Sequence, residues 1–173
     1  RGVEIIVGIH PKLAETIVEN CLINNHLSNL LNIRSYRRET KVYVEGLVDS
    51  RFDFSGIDRN GTAFIIEVKN VPLADYEDIS NKERKNKSYS HIDQNNKIAY
   101  FPDGYRKKTG DPVSPRALKH IRELTLIKKK SKTRCIMCYV IQRNDVCKFT
   151  PSSVDSEYKL AVKNAYENGV EII

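Results

Sequence analysis

Apolar residues recur along this chain with two different periods, and the switches between them lay out the predicted elements. From residue 11 to 22, Leu13, Ala14, Ile17, Val18, Cys21 and Leu22 fall at helical spacing, and Pro11 suits a first turn. The same spacing returns over 114–130 through Ala117, Leu118, Ile121, Leu124 and Thr125, ending in a basic turn that complements the helix dipole. A last helix is predicted over about 155–168, closed by Gly169. Alternating or continuously apolar runs predict strands at 3–9, 41–48, 51–54, 63–68, 134–142, 146–149 and 170–173. Asp58-Arg59-Asn60-Gly61 supplies a turn, since Asn-Gly tolerates positive φ. An Asn-rich connection over 24–35 is expected to anchor through Leu27, Leu30 and Leu31. Residues 75–97, with the run Lys82-Glu83-Arg84-Lys85-Asn86-Lys87, are expected to form a long mobile insertion loop. No internal repeat is present.

The 173 residues suit a single domain large enough to bury a core, and 40% hydrophobic with 29% charged residues excludes a collagenous or low-complexity polymer. No apolar run approaches the ~18–20 residues that cross a bilayer, so a soluble protein with no membrane partner is expected, and the sparse cysteines favour a reducing, intracellular compartment. Position 1 is Arg rather than Met, which suggests a chain cut from something longer. The excess of 29 Lys and Arg over 22 Asp and Glu leaves a charge of +7, which favours a polyanionic partner such as nucleic acid. Three basic runs, at 82–87, 106–108 and 128–130, with Tyr89, Tyr100, Phe101 and Tyr105 nearby, could line a phosphate track as a group. Four cysteines are too few for a disulfide scaffold. Cys135 and Cys138 have metal-like spacing, but residues three apart on a strand point to opposite faces, which argues against zinc.

Strand alternation singles out one group of residues. On 63–69, Glu67 and Lys69 share a face with Ala63 and Ile65, while Phe64, Ile66 and Val68 occupy the other. On the preceding strand Asp53 shares a face with Arg51 and Ser55, and Phe52 and Phe54 are expected to point together toward the core. A tight antiparallel hairpin would bring Asp53 beside Glu67. Two neighbouring carboxylates in a partly dry cleft repel unless a cation lies between them, and hard oxygen ligands favour Mg2+ or Mn2+. Such an ion, with Lys69 orienting a water, is machinery for cutting a phosphodiester. Spacing by itself leaves open an exposed cross-strand salt bridge among the same residues.

Seven blocks carry a resemblance that extends over nearly the whole chain. They are Val7-Gly8-Ile9-His10 leading into a helix, Arg37-Arg38-Glu39, Ser50-Arg51-Phe52-Asp53-Phe54, Glu67-Val68-Lys69-Asn70-Val71, Tyr100-Phe101-Pro102-Asp103, the helical run from Arg116 to Leu124, and Gly169-Val170-Glu171-Ile172. Their order resembles that of the sugar fermentation stimulation protein (SfsA) family. The resemblance implies an α/β fold with a mixed central sheet flanked by helices, the restriction-endonuclease-like PD-(D/E)XK core, without the N-terminal OB-like domain of the family. It also implies that Asp53 and Glu67 hold the metal, that Lys69 supports the attacking water and that Glu39 is an auxiliary acid.

Within the same resemblance, Asp103 orients a ligand or approaches the metal, or else caps an Asx turn. Arg51, Arg116, Lys119 and His120 are expected to contact nucleic acid; for the last three a solvated helix face with a Lys119–Glu123 pair is the alternative. The segment after Val71 and residues 104–115 are longer than is usual in the family. The function expected is a divalent-metal-dependent nuclease acting on nucleic acid, DNA ahead of RNA. The alternative is a non-catalytic DNA-binding or regulatory module that keeps the nuclease fold.

Overall fold

Residues 4–89, 96–102 and 113–173 are described by a computed structural model. Asp103, Tyr105 and the basic run Arg106-Lys107-Lys108 lie outside the described residues. A five-stranded sheet, in the order β1-β2-β3-β6-β8, forms the centre. β1 (Ser35–Val44), β2 (Val48–Ile57) and β3 (Ala63–Val71) form an antiparallel meander, and β6 (Arg134–Ile141) and β8 (Glu171–Ile172) run parallel to β3. Parallel neighbours need a long crossover. The helix α3 (Pro115–Lys130) lies within the β3–β6 crossover, and α4 (Ser156–Glu167) lies within the β6–β8 crossover. The mixed, helix-flanked sheet expected from sequence is therefore present.

Each face of the sheet carries its own core. On one face α1 (Leu13–Ile23) inserts Ala14, Val18 and Leu22 against Phe54, Phe64, Ile66 and Val68. On the other, α3 and α4 cover Phe52, Ile65, Met137 and Tyr139 with Leu118, Ile121, Leu124 and Tyr158. Because both faces are covered, β3 is buried without interruption from Phe64 to Val68, which hides its alternation in hydropathy but not in geometry. Cys135 and Cys138 lie in opposite cores, as their spacing on a strand requires.

A second sheet, not expected from the sequence, runs β4-β5-β7 through Ala74–Asp75, Lys97–Phe101 and Val146–Pro151. Its Ala99, Phe101 and Phe149 join the core beneath α3 and α4. The described part of the expected loop carries structure: Arg84, in the short helix α2 (Asn81–Arg84), pairs with Asp75 at 2.9 Å, Lys87 pairs with Glu77, and the rings of Tyr76 and Tyr89 stack at 5.1 Å. Residues 90–95 lie outside the described residues. No strand forms over the described part of 3–9, where exposed Val7 makes a single bridge to Arg143. β1 starts earlier than its apolar pattern suggests, because Arg38 crosses the Phe54 ring to reach Glu15 (2.9 Å) and Glu19 (2.7 Å) on α1.

Phe52 and Phe54 do not share a face, contrary to the alternation expected of β2: Phe52 enters the α3 core and Phe54 the α1 core. On β2, Val48, Ser50 and Phe52 point toward α3; beyond Asp53 the phase inverts, so that Phe54 points toward α1. The β1–β2 register pairs Arg38 with Phe54 and Thr40 with Phe52 but omits Glu39, which sits at φ +48 opposite Asp53. A left-handed residue in one strand breaks the pleat of both. Alternation assumes an unbroken pleat, so the sequence pattern could not reveal this break.

Candidate functional site

The pleat break places Asp53 at a fork in the sheet. Pairing of β2 with β3 ends at Phe54 and Ile66, and from Glu67 to Val71 β3 pairs, among the described residues, with β6 alone. The Val68 N–H, left without a β2 partner, donates to Asp53 Oδ2 at 2.6 Å. That bond ties the carboxylate to the segment bearing Glu67 and Lys69, near enough for the charge of Glu67 to raise its pKa and that of Lys69 to lower it.

Glu67 is 2% exposed. Its Oε1 accepts hydrogen bonds from Lys69 Nζ and from His120 Nδ1 on α3, while its Oε2 is buried with no partner among the described residues. The two acids are electrostatically unlike. Burial, and then the neighbouring Glu67 charge, push the Asp53 carboxyl up from 3.8 to about 6, against the Val68 N–H and Lys69. Burial also works against the Glu67 charge, but His120 and Lys69 outweigh it and hold that carboxyl below its usual value. One acid is thus firmly ionised, and the other would lose its proton more readily if positive charge entered the fork.

The remaining predicted residues are distributed differently. Glu39 and Arg51 lie exposed on the β1–β2 ribbon and pair with each other at 3.1 Å, so the Glu39 carboxylate turns to Arg51 rather than into the Glu67 cluster. Arg116 is exposed on α3. Lys119 Nζ donates to the Asp49 carbonyl at 2.6 Å and lies 3.7 Å from Glu123. His120 parts from these neighbours: it is 4% exposed and faces Glu67 and the Phe52 ring. Successive helical residues are turned by about 100°, so adjacent Lys119 and His120 face solvent and core respectively. The signal was available, since His120 falls in the stripe Ala117, Ile121, Leu124 that faces the sheet.

Two contributors were not predicted from the sequence. Glu15 on α1 adds to the field that raises Asp53, although its own carboxylate is held by Arg38. Glu123 accepts from the Asp49 N–H at 3.0 Å and from Ser50 Oγ, tying α3 to β2 one turn beyond His120. Among the described residues no three His, Cys, Asp or Glu side chains are grouped so as to hold an ion by themselves.

The profile of the family described as "Sugar fermentation stimulation protein RE domain" matches residues 12–81 and 83–173. This chain belongs to the SfsA family. It is 29% identical over 170 residues to a sugar fermentation stimulation protein homolog of Clostridium perfringens, covering 98% of this chain and 59% of that protein. A homolog of Nitrosococcus oceani is 25% identical, with 97% of this chain and 59% of that protein covered. The chain therefore spans about three fifths of the length of these relatives. Among solved structures, that of Pyrococcus furiosus SfsA in complex with Ca2+ superposes with a TM-score of 0.68 at 23% identity, over 93% of this chain and 55% of that one. The SfsA relative thus shares the fold. Among the described residues, no helix of this chain is long and apolar enough to cross a membrane.

Proposed function

We propose that this SfsA-family chain is a divalent-metal-dependent nuclease, using Mg2+ or Mn2+ on a PD-(D/E)XK-type core to hydrolyse phosphodiester bonds, with DNA as the favoured partner. The observation that carries the reading lies at the fork: Glu67 is buried with its Oε2 lacking a partner among the described residues, and its charge helps raise the nearby Asp53 carboxyl. This donor set suits a small hard cation, which takes one or two carboxylates and keeps several waters. Asp53 and Glu67 would hold it, and the Pyrococcus furiosus relative, solved in complex with Ca2+, supports a hard-cation site on this fold. When bound, such an ion polarises a phosphoryl oxygen and acidifies a water. Lys69, anchored on Glu67 Oε1, places its ammonium to orient that water and to offset negative charge growing on the phosphoryl group. Arg51, Arg116 and Lys119, all exposed, would meet phosphates, and Glu39 would act as an auxiliary acid only after leaving Arg51.

The test is cleavage of DNA and RNA by the purified protein in Mg2+, in Mn2+ and in EDTA. Activity should require the metal and disappear in Asp53→Ala and Glu67→Ala; equal residual cleavage in both variants would mark it as contamination. A non-catalytic DNA-binding module is favoured by one observation: Glu67 Oε1 already accepts from Lys69 and His120 within the protein. Salt-sensitive DNA binding without any Mn2+ uptake would establish that second reading.

A further inference from the structure

Glu67 makes an asymmetric set of bonds. Lys69 and His120 both donate to Oε1, while Oε2 is buried without a partner among the described residues. A carboxylate only accepts, so His120 must present Nδ1 as a donor. The two donors differ in stiffness. Lys69 reaches Glu67 on a flexible chain from the same strand, two residues away. The imidazole comes from the 16-residue helix α3, is 4% exposed, and has the Phe52 ring at 5.6 Å. One turn on, Glu123 holds the backbone of Asp49 and the hydroxyl of Ser50 on β2. The helix thus grips β2, which carries Asp53, and β3, which carries Glu67.

The terminal torsion of a Glu side chain is broad and nearly two-fold, so an unheld carboxylate exchanges its oxygens freely. Resting on the metal-site reading above, we infer that His120 is a positioning residue rather than a nucleic-acid contact: its Nδ1–H locks Glu67 so that Oε2 alone is offered to a hard divalent cation shared with Asp53. Partners that orient a ligand in this way are worth about 10–100-fold in metal affinity.

The experiment is Mn2+ titration of the purified chain by calorimetry, without nucleic acid, for the parent protein, His120→Ala, His120→Asn, His120→Gln and Glu67→Gln, with thermal melts alongside. The Asn amide nitrogen sits where His places Nδ1, whereas Gln displaces it by one methylene. His120→Ala and His120→Gln should weaken Mn2+ binding about 10–100-fold, while His120→Asn recovers to within about threefold of the parent at a similar melting temperature. If His120→Ala binds Mn2+ like the parent while Glu67→Gln does not, the positioning role is refuted and the metal site stands. If His120→Ala fails to fold, equal affinities in the Asn and Gln variants refute it. If the parent itself takes up no Mn2+, the metal-site reading falls and this inference with it.

Discussion

Replacing Asp53 by Asn should make the metal-free protein more stable. The amide oxygen can still accept from the Val68 N–H, which now bonds Oδ2 at 2.6 Å, so the exchange removes charge while keeping the acceptor. A carboxyl raised from 3.8 to about 6 carries an ionisation cost of about 3 kcal/mol above pH 6. Partial solvent access to Asp53 screens part of that, leaving about 1–2 kcal/mol. The sign follows from the direction of the shift. The folded protein holds this proton more tightly than the unfolded chain, so Asp53 contributes stability below pH 3.8 that is lost as the pH rises through about 6. Thermal melts in EDTA from pH 4 to 8 should show parent and Asp53→Asn nearly coincident at the acid end. They should diverge to roughly 3–6 °C above pH 7, with the variant higher. A variant no more stable than the parent at pH 7.5, or a difference that ignores pH, would refute the claim that burial, with the Glu67 charge nearby, raises the Asp53 carboxyl.

Glu67→Gln should behave oppositely: it leaves Lys69 and buried His120 without their shared anion, and urea unfolding at pH 7 should show a loss of about 3 kcal/mol. Asp145, fully buried between Arg143 (2.6 Å) and Lys97 (2.6 Å), is held well below the usual carboxylate range first by the Arg143 hydrogen bond. It contributes stability above pH 3.8 that is lost as the pH falls through its folded value; Asp145→Asn should cost about 3 kcal/mol at pH 7 and less at pH 2, measured by urea unfolding. Gly56→Ala should cost about 3 kcal/mol or more in the same assay, because an added Cβ would lie 2.1 Å from the Ser35 carbonyl oxygen and 2.5 Å from the Phe64 ring; a melt unchanged from the parent would contradict that close approach.

The three long helices, most strands of the main sheet and the shared face of Glu67 and Lys69 were legible because each rests on local periodicity. Leu13 to Leu22, Ala117 to Leu124 and Phe64 to Val68 repeat with the spacing of the elements they form, and Glu67 and Lys69 share a face because they are two residues apart on one strand. The second sheet was not legible, since β4 is two residues long and β5 gains its meaning only from pairing with distant β7. Nor was the break at Glu39 and Asp53, which exists only as an omission in the register between two strands. His120 was visible as a helix residue, but its partner lies 53 positions away on another element. Sequence by itself determined which residues could do chemistry here, because residue type and local spacing are one-dimensional properties. Tertiary structure alone decided which oxygens are held, which is left without a partner among the described residues and how far one acid raises the other, because those depend on long-range contacts and on exclusion of water.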